Sequence, residues 1–187
     1  MSFSTSPDGK QYTIPNEEDQ KKEFERLKRT ASGEREKGRE IVVVMGLGFV
    51  GAVMAAVVAD STEKATGKTR KFVIGMQRPS PRSYWKIPFL NSGLSPVKAE
   101  DPEVDILIHR CVVERKNLVA TCTTDALSLA DTVIVDVQCD FLKKELGNCT
   151  TGRAEIGALE ESMKIIGEKI QPNCLVLIET TVPPGTT

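Results

Sequence analysis

From residue 40 onward, short and almost unbroken apolar runs alternate with longer stretches of mixed polarity. The runs at 41–45, 71–75, 118–122, 132–137 and 174–178 are rich in β-branched residues and leucine and show little polar alternation. That is the signature of strands covered on both faces, as in a parallel sheet. Between them, 49–60, 84–91, 102–116, 125–129 and 152–170 read as helical. Asp101 before Pro102 is a helix start, because aspartate caps and proline is tolerated at the first helical position. The strand–helix alternation predicts an α/β fold with a doubly wound, mostly parallel sheet and helices on both faces.

The first 39 residues break this rhythm. Residues 1–15 carry no periodicity and predict loose chain. "NEEDQKKEFERLKRT", from Asn16 to Thr30, predicts a charged surface helix with Asn16 as cap, acids in the first turn, bases in the last, and Glu18–Lys22 and Glu25–Arg29 pairs. Phe24, Leu27 and Ala31 give it only a narrow apolar stripe, which predicts a largely solvated helix docking weakly on the domain or on a partner. "ASGEREKGRE" predicts a linker, so the chain divides into a charged extension, 1–39, and a domain, 40–187.

The strongest local chemistry lies in "IVVVMGLGFVGAVMAAVVAD", residues 41–60. Gly46, Gly48 and Gly51 form G-x-G-x-x-G between an apolar strand and an alanine- and valine-rich helix. In that context Gly46 makes a tight turn, Gly48 lets backbone approach a pyrophosphate, and Gly51 allows close helix–strand packing. A Rossmann dinucleotide site is predicted; the alternative is a glycine turn serving packing alone. An NAD site of this kind ends its second strand on an acid that takes the adenosine ribose hydroxyls. Here "FVIGMQRPSPR" offers Gln77 and Arg78 instead. Three readings stay open: Gln77 bonds the ribose, Arg78 accommodates the 2′-phosphate of NADP, or Arg78 stacks beside the adenine. NAD is the expected cofactor.

Composition narrows the classes. With 25 basic and 26 acidic residues the net charge is -1, so no bulk field favours nucleic acid or an anionic membrane. Apolar stretches such as Ile41 to Val44 are far too short to span a bilayer, and the polar N-terminus lacks a signal peptide's apolar core, which predicts a cytoplasmic protein. Five cysteines, at 111, 122, 139, 149 and 174, have no CxxC spacing and indicate neither a disulfide framework nor a zinc site. Cys111, Cys122 and Cys174 lie in apolar runs and read as small buried hydrophobes.

Four segments together point to a family: "VVVMGLGFVG", "FLNSGLSPVKAEDPE" at 89–103, "ATCTTDALSLADTVIVDVQ" at 120–138 and the closing "IETTVPPGTT". In this order they resemble the N-terminal domain of the nucleotide-sugar 6-dehydrogenases, the UDP-glucose, GDP-mannose and UDP-N-acetylhexosamine dehydrogenases, over residues 40–187. Such enzymes oxidise the C6 alcohol of an NDP-sugar to a carboxylate with two NAD, through a thioester on a cysteine. The resemblance implies that Gly46, Gly48, Phe49, Val50 and Gly51 bind the pyrophosphate, and that Val137, Gln138 and Thr181 lie beside the nicotinamide half. Glu179 and Thr180 would face the reacting carbon in supporting catalytic roles. Gln138-Cys139 departs from the threonine-proline pair of many relatives. The family's "GGxCxPKD"-like nucleophile segment does not occur in this sequence. The resemblance therefore implies a cofactor half, inactive alone, whose full-length relatives are usually homo-oligomers joined through a central helix that would follow Thr187. A different reading is a non-catalytic Rossmann module whose N-terminal helix recruits a partner; another dehydrogenase family of the same fold also stays open.

Overall fold

A computed structural model describes residues 2–143, 145 and 152–186. Its centre is a parallel sheet of five strands: β3 (Glu40–Met45), β4 (Lys71–Met76), β5 (Leu118–Thr121), β6 (Thr132–Val135) and β9 (Leu175–Ile178), in the order β5-β4-β3-β6-β9. Side chains alternate across the pleat. Ile41, Val43 and Met45 of β3 enter one apolar cluster while Val42 and Val44 enter another on the opposite face. Both clusters are apolar and buried, which is why the strand sequences are continuous rather than alternating. The chain switches faces between β5 and β6, so the order reverses at β3 and leaves a crevice at the strands' carboxyl ends.

One face is covered by α2 (Phe49–Asp60), α3 (Lys86–Asn91) and α4 (Glu103–His109). Asn91 fixes α3 to the sheet by bonding both backbone groups of Ala120, at 2.9 and 2.7 Å. The expected start at Asp101 is present, its carboxylate accepting from Glu103 N–H at 2.9 Å. The helix predicted to reach 116 stops early: after His109 a π-helical turn, Arg110–Glu114, finishes the segment. On the other face lie α1 (Glu17–Glu36), α5 (Gly157–Lys169) and a 3₁₀ turn at Thr124–Leu129 in place of the helix expected at 125–129.

The N-terminal extension departs most from expectation. Residues Phe3–Thr5 (β1) and Gln11–Thr13 (β2) form an antiparallel hairpin where loose chain was predicted, and buried Ser4 accepts from Trp85 N–H at 3.0 Å. Helix α1 does begin at the Asn16 cap, with a reciprocal capping box to Asp19, and then runs on to Glu36, into the segment predicted as linker. Its stripe is not solvated. Leu27 and Ala31 are fully buried in the sheet's core and Phe24 packs beside them, so the stripe is spent within the domain and is not free to recruit a partner. The last turn is tied down by Arg35, which reaches Leu129 O at 2.8 Å and Asp131 at 2.7 Å, and by Glu34, held by Lys37 and Arg39 at 2.7 and 2.6 Å. The Glu18–Lys22 pair forms at 2.8 Å, but Arg29 bonds the Glu25 carbonyl rather than its carboxylate.

Strand β6 ends at Val135, two residues before its expected end, because Asp136–Gln138 turns away to line the crevice. Residues Asp140–Lys143 (β7) and Gly152–Glu155 (β8) then form a second antiparallel hairpin, so the helix expected from 152 starts at Gly157.

Candidate functional site

The crevice at the carboxyl ends of β3, β4 and β6 encloses about 340 Å³. Its floor is the glycine turn. Gly46 has φ +107°, open to glycine but strained for other residues, and a Cβ there would stand 2.0 Å from Asp136 O. A Cβ on Gly51 would meet Gly46 O at 1.9 Å, so helix α2 lies directly on the turn. Around Gly48 there is nothing within 4 Å of an added Cβ. Gly48 caps α2 without a side-chain bond, and the first-turn amides of a helix have no intrahelical acceptor. The result is an open, donor-rich concavity at the positive end of a helix, suited to a pyrophosphate.

Two side chains from beyond β4 brace this turn. Gln77 Oε1 accepts from Leu47 N–H at 2.9 Å, and Lys86 Nζ donates to Leu47 O at 2.9 Å. Burial, helped by nearby Arg82, lowers the Lys86 pKa below the usual lysine value. Arg78 reaches across to α5 and pairs with Glu161 at 3.0 Å, both side chains remaining more than half exposed.

The opposite wall starts at Asp136. Burial raises its carboxyl above the usual aspartate range, and the Thr180 hydroxyl and Gly51 N–H pull it partway back. The Thr180 hydroxyl donates to Val137 O at 2.5 Å, while Glu179 and Thr180 N–H both bond Val135 O, at 3.0 and 3.3 Å. Glu179 is exposed, yet it too is raised, first by partial burial and then by the charge of Asp136. Asp136 thus lines this end of the crevice, and Glu179 stands exposed near enough to feel its charge.

Of the residues expected from sequence, Gly46, Gly48, Gln77, Arg78, Val137 and Gln138 line the crevice. Gly51 sits beneath it, and Thr180 buttresses its edge through Val137. Phe49 and Val50 open helix α2 at the turn; their side chains are exposed and border a separate apolar groove with Val57 and Val104, so it is their backbone amides that face the turn. Glu179 and Thr181 are exposed at the mouth rather than in the lining. Gln77 lines the crevice with its oxygen accepting from Leu47 N–H, which leaves its amide N–H groups and the oxygen's second lone pair for a ligand. Sequence reasoning missed Lys86, Ser80, Ser83 and Asp136, all of which line the crevice. The available signals were an acid ending an apolar run at 136 and a lysine flanked by Trp85 and Ile87. Cys139 is partly exposed; Cys149 lies outside the described residues.

Residues 40–187 match the sequence profile of the UDP-glucose/GDP-mannose dehydrogenase family, NAD binding domain. The chain belongs to this family. Among solved structures, this dehydrogenase domain is similar to NDP-N-acetyl-D-galactosaminuronic acid dehydrogenase from Methanosarcina mazei Go1, at 31% identity and TM-score 0.68 over 84% of the chain. It is also similar to UDP-D-ManNAc dehydrogenase from Pyrococcus horikoshii, at 26% identity and TM-score 0.60 over 79% of the chain. GDP-mannose dehydrogenase from Pseudomonas aeruginosa, solved as a ternary complex, gives 27% identity and TM-score 0.59 over 78%. The dehydrogenase domain spans 31%, 30% and 29% of the length of these three. No curated protein matches it. Among the described residues no helix is long and apolar enough to cross a membrane.

Proposed function

We propose that this chain is the cofactor half of a nucleotide-sugar 6-dehydrogenase, which oxidises the C6 alcohol of an NDP-sugar to a carboxylate with two NAD. The observation that carries this reading is the glycine turn locked beneath the crevice: Cβ-free contacts at Gly46 and Gly51, open space at Gly48, and a helix N-terminus facing it. NAD, when bound, supplies the hydride acceptor. The amides of Phe49 and Val50 hold the pyrophosphate, while Gln77 N–H, Arg78 and Lys86 hold the adenosine end. Val137, Gln138 and Thr181 flank the nicotinamide end. Glu179, with its pKa raised by burial and by Asp136, takes up the alcohol proton directly or through one water. Thr180 positions that edge through its bond to Val137 O.

The covalent step is assigned elsewhere than to Cys111, Cys122 and Cys174. Burial pushes the thiols of Cys111 and Cys122 up to about 11 and raises Cys174, which leaves them protonated and poorly nucleophilic at neutral pH. The expected behaviour is cofactor binding without turnover. Calorimetric titration with NAD tests the first part, and absence of binding at millimolar cofactor would overturn it. Incubation with NAD and UDP- or GDP-sugars tests the second, and NADH formation by this chain alone would contradict it.

A further inference from the structure

The family match begins at residue 40, yet the segment before it is folded against one particular part of the site. That part is the stretch between β4 and α3, whose Ser80, Ser83 and Lys86 line the crevice. Most of its amides are held by its own backbone. Those of Ser83 and Tyr84 both bond Ser80 O, at 3.1 and 3.0 Å, that of Lys86 bonds Ser83 O at 3.1 Å, and that of Ile87 bonds Tyr84 O at 3.0 Å. The Trp85 amide is left out of this series. Its proton goes to Ser4 Oγ at 3.0 Å, 81 residues earlier in the chain.

Ser4 is placed for that role. It sits at the middle of the N-terminal hairpin, opposite Tyr12, and is fully buried while its strand neighbours Phe3 and Thr5 are exposed. Beyond the hairpin, Pro15 and the α1 residues Asp19, Gln20 and Glu23 line a cavity of about 310 Å³ together with Tyr84 and Ile87. None of the described residues before 40 lines the crevice itself. Lys86, one peptide bond beyond Trp85, donates to Leu47 O at 2.9 Å and so joins this stretch to the glycine turn. A shift of the Trp85 backbone therefore reaches the crevice directly. A loop ordered before its ligand arrives spares binding the entropy of ordering it.

We propose that Ser4 is a positioning residue for the cofactor: by accepting from Trp85 N–H, the N-terminal hairpin holds Lys86 and the turn at 80–83 against the adenosine end of the crevice. A segment outside the matched domain thereby sets NAD affinity without touching NAD. The proposal rests on the cofactor reading above.

Calorimetric titration of Ser4→Ala with NAD tests it. The Kd should rise about fivefold, the equivalent of one lost hydrogen bond. The deciding comparison is made in a Lys86→Met background. There Ser4→Ala should change NAD affinity by less than about twofold, because residues that act as a unit are not additive. In the ligand-free chain, Ser4→Ala should speed amide exchange at 83–87 while 41–45 keep their wild-type rates. Arg35→Met, which releases the far end of α1 from Asp131, should lower stability and leave NAD affinity as it is. Unchanged NAD affinity in Ser4→Ala, or the same fivefold loss in the Lys86→Met background, would overturn the positioning role while leaving the cofactor reading standing. Absence of NAD binding by the wild-type chain at millimolar cofactor would overturn both.

Discussion

On the β3 side of the crevice the backbone has nowhere to go: β3 is buried along nearly its whole length, Gly46 abuts Asp136, and Gly51 abuts Gly46. On the β9 side the strand is an edge, with Leu175 and Leu177 about half exposed, and the segment beyond it is tied back by the Thr180 hydroxyl and two amides on Val135 O. One wall is set by steric exclusion and the other by a few polar ties. Steric walls are specified by which residue is missing a side chain, whereas polar walls depend on where partners arrive from. The first kind should fail in stability when altered, and the second in smaller, condition-dependent steps.

The largest expected effect is on the steric wall. Gly46→Ala forces a Cβ against Asp136 O in a left-handed conformation, and should cost about 3 kcal/mol or more by denaturant titration. Thr180→Val keeps the shape but leaves Val137 O without its donor, and should cost about 1 kcal/mol in the same measurement.

Asp136→Asn probes the join between the walls. Asp136 and Glu179 are both raised in the fold. Their contribution to stability is therefore full below the ordinary values of 3.8 and 4.5 and is lost as pH rises through the folded values. The asparagine variant should melt higher than wild type at pH 7, by about 2 °C, and the gain should vanish near pH 4. It also removes a negative charge beside the proposed pyrophosphate site, so calorimetry should find tighter dinucleotide binding at pH 7. The smallest expected effect on stability is Gly48→Ala, whose Cβ meets nothing. Its melting temperature should match wild type while dinucleotide affinity falls about tenfold, because only a ligand fills that space.

How much of this was legible in the sequence follows the same division. The five central strands and the turn between β3 and α2 were readable, since continuous burial and glycine spacing leave direct marks. The fate of α1 was not: three apolar residues among charges look solvated until Leu129 and Asp131, nearly a hundred positions later, meet Arg35. The two short hairpins were missed because strands of three or four residues carry too little periodicity. In the site, Gly46, Gly48 and Gly51 were marked by spacing. The commitment of Gln77 to Leu47, thirty residues away, and the contact of Asp136 with Gly51 exist only once the sheet has formed. For Phe49 and Val50 the motif marks backbone alone: their amides stand at the turn while their side chains follow the helix outward.

The central claim is that one dinucleotide bridges both walls. Amide hydrogen exchange, with and without saturating NAD, tests it most directly. The account predicts slowed exchange at 47–52 and at 137–138 and 179–181 in the same titration. Protection confined to one wall, or absent from the glycine turn while nucleotide is bound, would contradict it.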